Sequence, residues 1–453
     1  MKLIKDYQNK KVLLLGLAKS GFNAALLLHQ LGAQIIVNDL QDLSKNSDAL
    51  QLEDLGIRVI SGQHQPQLLK EGFDLVVKNP GINYENVMVQ AALKAQVPII
   101  TEPELAYEVS QAPFICVTGS NGKTTTTTLV QLVLDQNRRQ GRAYKAGNIG
   151  IPVSQVVTQA QATDDIVVEM SSFQLLGITK LKPKIAVLTN IYEAHLDYHK
   201  TRANYVKAKM RITENQTADD YFVVNFDQEE WRTLSQQSAA QVVPFSRTGV
   251  THEGAYQEGA ALYFRREKII DVADLVLPGD HNIENYLAAI AVAKLSGKSN
   301  QDIRQVFTTF RGVKHRIQYV KTLNQRKIYN DSKATNIEAT TVALQTFAQP
   351  TVLIAGGLDR GFTFESLVPL LKNVHALVLY GQTKHLMAEA AQAAGIDQVK
   401  LVKTLDEAVP VAWKLSNPGD VLLFSPAAAS WDQFKTFEQR GDCFIEAVNK
   451  LGD

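Results

Sequence analysis

Short apolar runs alternate with helix-length amphipathic stretches along almost the entire chain, and this alternation constrains the fold more tightly than any other feature. The clearest runs are residues 12–15, 34–37, 73–77, 114–118, 166–169, 185–189, 352–355, 376–380 and 421–424. Strands separated by helices pair in parallel, with the helices covering the sheet. In such sheets ligands bind beyond the carboxyl ends of the strands, so chemistry is expected in the residues that follow each run. Many of the runs do end in glycine or a small polar residue.

Length then sets the number of units. The chain has 453 residues, about three times a domain of roughly 150. Ser110-Gln-Ala-Pro113 breaks the pattern before a new strand, and Phe310-Arg-Gly-Val-Lys314 breaks a helical stretch before a strand at 317–320. Domains are therefore expected at 1–110, 111–312 and 313–453, with an inserted or edge β region at 225–280, which is rich in Gln, Thr and Gly. With 47 Lys+Arg against 46 Asp+Glu there is no basic excess for nucleic acid, and 45% hydrophobic residues exclude a disordered chain. Cys116 and Cys443 are too few for a disulfide scaffold and fit a reducing, cytoplasmic setting. Lys2 and Lys5 before the run at 12–17 mimic a signal peptide, but Lys10, Lys11 and Lys19 flank that run on both sides and no small-x-small cleavage site follows. No stretch reaches the ~18 apolar residues of a membrane span, so a soluble protein is expected.

Gly16-Leu-Ala-Lys-Ser-Gly21 follows the first strand, opens a helix, and is followed by a second strand that stops at Asp39. This is the outline of a dinucleotide fold, with phosphate at a helix N-terminus and an acid on a ribose. A tight strand-to-helix turn explains the same residues, because Ala18 occupies the position of the fingerprint's middle glycine. Asn79-Pro-Gly81 by itself is a turn. The sharper signal is Ile115-Cys-Val-Thr-Gly119-Ser120-Asn121-Gly122-Lys123-Thr124-Thr125, a strand, a glycine loop, and Lys-Thr opening a helix. Glycines let backbone amides cradle phosphates, the lysine supplies charge, and the threonine hydroxyl suits Mg²⁺. Val117 stands where a standard P-loop has its first glycine, so this loop is shorter.

Glu169 ends a strand ahead of Met170-Ser-Ser-Phe-Gln174, where a carboxylate beside a phosphate loop can hold Mg²⁺. The acids and histidines between Asn190 and His199 are read as lacking the i,i+4 histidine pair or paired cysteines that would argue for zinc. Asn330-Asp331-Ser332-Lys333-Ala334-Thr335-Asn336 is a polar loop before a helix, which ordinary helix capping also explains. Phe434 and Phe437 lie three apart and are expected to share a helix face.

Taken together these segments resemble the Mur ligases of peptidoglycan synthesis, relatives of folylpolyglutamate synthetase, over essentially the whole chain. The resemblance is carried by Gly119-x-Asn-Gly-Lys-Thr-Thr125, Gly147-Asn-Ile-Gly150, Glu169-x-Ser-Ser-Phe-Gln174, His195 with Lys209, His281-Asn-x-x-Asn285 and His315-Arg316. Within the group, Asn330 to Asn336 and Ser425-Pro-Ala-Ala-Ala-Ser430-x-Asp-Gln-Phe434 resemble the member that adds D-glutamate. The Asp-Asn-Pro-Arg motif of the diaminopimelate-adding relative is absent.

The resemblance implies an α/β protein of three domains: a Rossmann-like N-terminal domain for a UDP-sugar, a central P-loop ATPase domain, and a Rossmann-like C-terminal domain for the amino acid. It implies a C–N ligase that joins D-glutamate to UDP-N-acetylmuramoyl-L-alanine through an acyl phosphate while ATP becomes ADP. The implied ATP contacts are Gly119, Ser120, Asn121, Gly122, Lys123, Thr124, Thr125, Asn282, Asn285, Arg316 and Asp331. Thr124, Glu169, His195 and Lys209 would hold two Mg²⁺ ions, Lys209 as a carbamate formed from CO₂, with Lys123, Glu169, His195 and Lys209 catalytic. Lys19, Ser20, Asp39, Gly81 and Asn148 resemble UDP-sugar contacts; Lys333, Thr335, Arg360, Ser430 and Phe437 resemble D-glutamate contacts. A monomer without nucleic-acid or membrane partners is expected. A sister ligase would add a different amino acid, a nucleotide-driven switch would release ADP without one, and an NAD-dependent oxidoreductase would leave Gly122-Lys123-Thr124 unexplained.

Overall fold

Val12, Leu13, Leu14 and Leu15 are all buried, which a strand achieves only when both faces of its sheet are covered. The computed structural model describes residues 1–2, 4–361 and 363–451. Among the described residues the strands assemble into three sheets, of five, nine and six strands. The first holds β1 (Lys11–Leu15), β2 (Gln34–Asn38), β3 (Arg58–Ile60), β4 (Leu75–Lys78) and β5 (Ile99–Thr101), all parallel, in the order β3-β2-β1-β4-β5. The chain winds away from β1 on one side and from β4 on the other, so the crevice between their carboxyl ends is the switch point where such sheets bind ligands.

The second sheet holds β6 (Phe114–Thr118), β7 (Ala143–Gly147), β8 (Asp165–Glu169), β9 (Ile185–Leu188), β10 (Tyr221–Asn225), β11 (Gln241–Ser246), β12 (Ala255–Glu258), β13 (Ala261–Phe264) and β14 (Glu267–Asp271). Their order is β14-β13-β12-β11-β10-β9-β6-β8-β7, parallel except for the antiparallel pairs β12–β13 and β13–β14. Residues 255–271 are thus an edge extension of this sheet. The third sheet holds β15 (Gln318–Leu323), β16 (Arg326–Asn330), β17 (Thr351–Gly357), β18 (Val374–Gly381), β19 (Gln398–Leu401) and β20 (Val421–Phe424), ordered β15-β16-β20-β17-β18-β19, with only β15 antiparallel. Among the described residues no helix is long and apolar enough to cross a membrane.

The chain packs as two compact units, Met1–Asp274 with Ile283–Phe307, and Leu275–Asn282 with Thr308–Asp453. The first unit contains both of the first two sheets, and one core runs through them: Val12 and Leu28 belong to the same buried cluster as Leu105, Val153 and Ile178. Two carboxylates on the helix Glu102–Val109 add a polar seam. Glu102 accepts Ser154 N at 2.5 Å, and burial pushes its pKa up to about 7 against those hydrogen bonds. Glu104 accepts four hydrogen bonds, from Thr179 N (3.0 Å), Thr179 Oγ1 (2.8 Å), Lys180 N (2.6 Å) and Leu181 N (3.0 Å). Glu104→Ala strands these donors, among them the buried Leu181 amide, and chemical unfolding is expected to show a loss of about 1–3 kcal/mol. An unchanged denaturation midpoint would show that the seam contributes nothing.

The expected pairing of Phe434 with Phe437 on one helix face does not occur. The helix Phe437–Asn449 starts at Phe437, because Thr436 caps it by accepting Gln439 N at 3.3 Å. Phe434 lies outside it, its amide bonded to Ser430 O at 2.8 Å, and packs separately against the core formed by Phe424 and Phe444.

Candidate active site

β6 leads into a loop whose glycines are fixed by close approach as well as by backbone conformation. Gly119 has φ 152°, and a Cβ there would lie 1.9 Å from Thr189 Oγ1; Gly122 has φ 80°, and a Cβ would lie 2.2 Å from Asn285 Oδ1. Residues just beyond β9 clamp the loop between them. Asn121 N donates to Asn190 Oδ1 (2.8 Å), Thr189 Oγ1 to Asn121 O (2.6 Å) and Ser120 N to Asn190 O (3.0 Å). Ser120 Oγ also shares a 2.9 Å hydrogen bond with the Tyr205 hydroxyl. Gly122 caps the helix Lys123–Asp135, whose first-turn amides and positive dipole end make an anion site. Thr124 to Thr128 are all buried in that helix. Five β-branched residues are poor helix formers, so packing rather than propensity holds this turn in shape, with Thr126 Oγ1 donating to Asn285 Oδ1 at 3.1 Å.

Two lysines converge on the loop. Lys123 Nζ donates to Gly119 O and Ser120 O, each at 2.8 Å, and Lys209 Nζ donates to the same Gly119 O at 2.7 Å. Lys209 is buried and its ammonium lies 4.7 Å from the Tyr205 ring centroid. Burial, then repulsion from Lys123, draws its pKa well below that of an ordinary lysine, against an opposing pull from Glu169. His195 is lowered too, by burial and by Lys123 and Lys209, which favours the neutral imidazole.

Glu169 ends β8 buried. Its Oε1 accepts Asn148 Nδ2 at 2.9 Å, while Oε2 is buried with no hydrogen-bond partner among the described residues. Asn148, expected at the UDP-sugar, is therefore also what orients this carboxylate, its own amide bonding Glu169 O at 2.9 Å. The reading that no i,i+4 histidine pair is present is wrong: His195 and His199 stand four apart, a spacing that on a helix can hold zinc. Here His195 adopts a left-handed φ of 56° before the helix Leu196–His199, and His199 Nε2 pairs with Ser172 Oγ at 2.9 Å. Among the described residues no three His, Cys, Asp or Glu side chains cluster to hold a metal.

At the switch point of the first sheet, Gly16 has φ 92° and Gly21 packs so closely that a Cβ would meet Gly16 O at 2.2 Å. Asp39 closes this turn, accepting Leu17 N at 2.7 Å and Gln41 N at 2.8 Å. The exposed Lys19 donates to Gly150 O at 2.7 Å, half-buried Ser20 adjoins it, and Gly81 N bonds Asn79 Oδ1 at 3.1 Å.

In the second unit β16 runs into Asp331, which accepts Ser425 Oγ (2.8 Å) and Ile317 N (3.1 Å). Burial raises its pKa to about 7, against the Ser425 hydrogen bond and the charges of Arg316 and Arg440. Asn282 Nδ2 donates to Pro278 O at 2.6 Å. Lys333 and Phe437 come together, the ammonium 5.9 Å from the ring centroid. Ser430 is buried in the loop after β20, Thr335 is half-buried, and Arg360 is exposed beyond β17.

Three family models match: the Mur ligase MurD-like N-terminal domain over residues 10–101, the Mur ligase middle domain over 117–293, and the Mur ligase glutamate ligase domain over 315–428. The UDP-N-acetylmuramoylalanine–D-glutamate ligase of Latilactobacillus sakei is 61% identical over 452 residues, covering 100% of both chains. This chain belongs to the Mur ligase family. The ligase of the same name from Ligilactobacillus salivarius is 60% identical, covering 100% of this chain and 98% of the relative. A solved Mur ligase, the UDP-N-acetylmuramate–alanine ligase of Thermotoga maritima, shares the fold with a TM-score of 0.59 at 20% identity, covering 98% of this chain and 100% of that one. The chain is accordingly an α/β Mur ligase with N-terminal, middle and C-terminal domains.

Within each unit, some residues that hold these loops carried no motif signal. Thr189 and Asn190 had only one pointer, their place just after an apolar run. Arg440 had none. It is fully buried and donates to Ser332 Oγ (3.1 Å), Ser332 O (2.7 Å) and Ala428 O (2.9 Å), tying together the loops that follow β16 and β20.

Proposed function

We infer that this Mur ligase joins D-glutamate to UDP-N-acetylmuramoyl-L-alanine in peptidoglycan precursor synthesis, with cleavage of ATP to ADP and phosphate. What carries the reading is the full-length 61% identity to a D-glutamate ligase. Residues 1–110 would bind the UDP-sugar, 111–312 ATP, and 313–453 the amino acid. The substrate carboxylate oxygen attacks the γ-phosphorus; that O–P bond forms, the bond to the ADP oxygen breaks, and an acyl phosphate results. The D-glutamate amine then attacks the acyl carbon, the C–N bond forms, phosphate leaves and the nitrogen gives up a proton. The lysine charge and the loop amides at Gly119 to Thr125 suit the γ-phosphoryl group, whose transfer depends on positioning and charge stabilisation.

The residues present fit magnesium. It is a hard cation that takes oxygen ligands, keeps several waters and is bound through one or two carboxylates plus phosphates, and Glu169 offers a buried Oε2 without a partner among the described residues. Thr124 and Glu169 would hold one ion, and His195 with carbamylated Lys209 a second; bound there, magnesium would neutralise charge on the phosphates. Carbamylation requires a neutral amine, which the lowered pKa of Lys209 supplies. Its nitrogen attacks the carbon of CO₂ and loses a proton, placing an anion beside Lys123 where the neutral amine stood.

The decisive assay is ADP release with UDP-N-acetylmuramoyl-L-alanine and a panel of amino acids. D-glutamate should support turnover and L-glutamate, D-alanine, glycine and diaminopimelate should not; comparable turnover with another amino acid moves the chain to a sister activity. Thr335→Ala and Ser430→Ala are each expected to raise the Michaelis constant for D-glutamate about tenfold, because a lost hydrogen bond to a charged group costs about 1.5 kcal/mol, while that for ATP changes little. Equal shifts for both substrates would remove these residues from the amino-acid site.

A further inference from the structure

Lys78, the last residue of β4, is 1% exposed. Among the described residues no carboxylate pairs with its ammonium, which instead donates to Ile82 O (2.7 Å), Asn79 O (3.2 Å) and Pro80 O (3.3 Å) and lies 5.0 Å from the Tyr84 ring centroid. A buried cation held only by neutral groups is costly, and burial draws its pKa down to about 8. The three carbonyls all belong to the loop Asn79-Pro-Gly-Ile82, in which Gly81 is a candidate substrate contact.

A second element grips the same loop. The Tyr198 hydroxyl donates to Ile82 O at 3.1 Å and Pro80 O at 3.4 Å. Tyr198 lies in the short helix Leu196–His199 that His195 precedes, and its ring packs edge-on to Phe173 with centroids 4.5 Å apart. On its other side the loop abuts the glycine turn after β1: Asn79 N donates to Leu15 O at 2.8 Å, and a Cβ on Gly16 would lie 2.9 Å from Asn79 Cβ. The loop therefore sits at the switch point of the first sheet, where a ligand is expected, with donors from β4 and from the segment carrying His195 meeting on the carbonyls of Pro80 and Ile82.

We propose that Lys78 and Tyr198 form a latch that fixes the Asn79–Ile82 loop between the Gly16 turn and the His195 segment, so that Lys78 is a positioning residue for the UDP-sugar substrate. The latch follows from the hydrogen bonds; its role toward substrate rests on the proposed function above. Lys78 reaches only the loop, and its effect passes through the loop backbone.

Two variants and two readouts test this. Lys78→Met keeps the length of the chain and removes the donors; Tyr198→Phe removes one hydroxyl from a half-buried ring and leaves its packing. Amide hydrogen exchange of the unliganded protein, read over peptides spanning 79–84 and 194–200, should rise in both segments for either variant. In steady-state kinetics each variant should raise the Michaelis constant for UDP-N-acetylmuramoyl-L-alanine by about tenfold while those for ATP and D-glutamate stay within about twofold, and the double variant should lose less than the product of the single losses. Exchange unchanged in both variants overturns the latch. Faster exchange with an unchanged constant for the UDP-sugar, or equal rises for all three substrates, overturns the positioning role. If wild-type protein does not turn over the UDP-sugar at all, the functional reading fails, and the exchange data still decide the latch.

Discussion

Lys123→Ala is expected to lower ATP-dependent turnover by about 10³-fold while leaving the fold intact, because the lost charge acts on the transferring phosphoryl group. Lys123 contacts Gly119 O and Ser120 O rather than a core, so the thermal midpoint should move by no more than about 2 °C. The variant has a second consequence. Lys123 is one cause of the lowered pKa of Lys209, so its removal lets the Lys209 amine hold its proton more firmly and disfavours carbamylation. Losses from Lys123→Ala and Lys209→Ala should therefore fall well short of multiplying in the double variant. Turnover within a few-fold of wild type would take the phosphate role away from this loop.

Lys209→Ala is expected to lose about 10²-fold or more in turnover, and acetate should restore part of it by placing a carboxylate oxygen where the carbamate stood. Stripping CO₂ and bicarbonate from the buffer should depress wild-type activity and leave the alanine variant unaffected. The physical basis is the position of the amine, buried 2.7 Å from Gly119 O beside a second cation. Full activity in the alanine variant, or a wild type indifferent to CO₂, would assign Lys209 a purely structural role.

What could be read in the sequence is what is local. Gly119, Gly122, Lys123 and Glu169 announce themselves because a glycine loop after an apolar run and an acid at a strand end need no partner to be recognised. Asp39 was legible as an acid after a strand, while its closure of the turn through Leu17 N becomes visible only when β1 and β2 pair. Lys78 and Arg440 look like ordinary surface cations in sequence, since nothing nearby marks them as buried. The carbonyls that hold Lys78 follow it by one, two and four residues, but its burial comes from tertiary packing; the partners of Arg440 lie 108 and 12 residues away, in the loops after β16 and β20. Glu104 is the extreme case: its hydrogen-bond donors lie 75 to 77 residues away, beyond any spacing rule. The Phe434–Phe437 expectation failed for the opposite reason, a local cap at Thr436 overriding a periodicity of two residues.

The seam made by Glu102 and Glu104 bears on how proteins of this kind can diverge. Residues 1–110 cannot be traded between relatives as a cassette, because the carboxylates they bury are answered by backbone amides of Ser154, Thr179, Lys180 and Leu181. Apart from Thr179 Oγ1 these donors are main-chain atoms, so the seam constrains the path of the chain more than the side chains along it. Insertions and deletions should therefore be rare at 152–154 and 178–181 and frequent in neighbouring exposed loops. A recombinant that brings a foreign N-terminal segment should fold only when the incoming helix carries acids in the same two places.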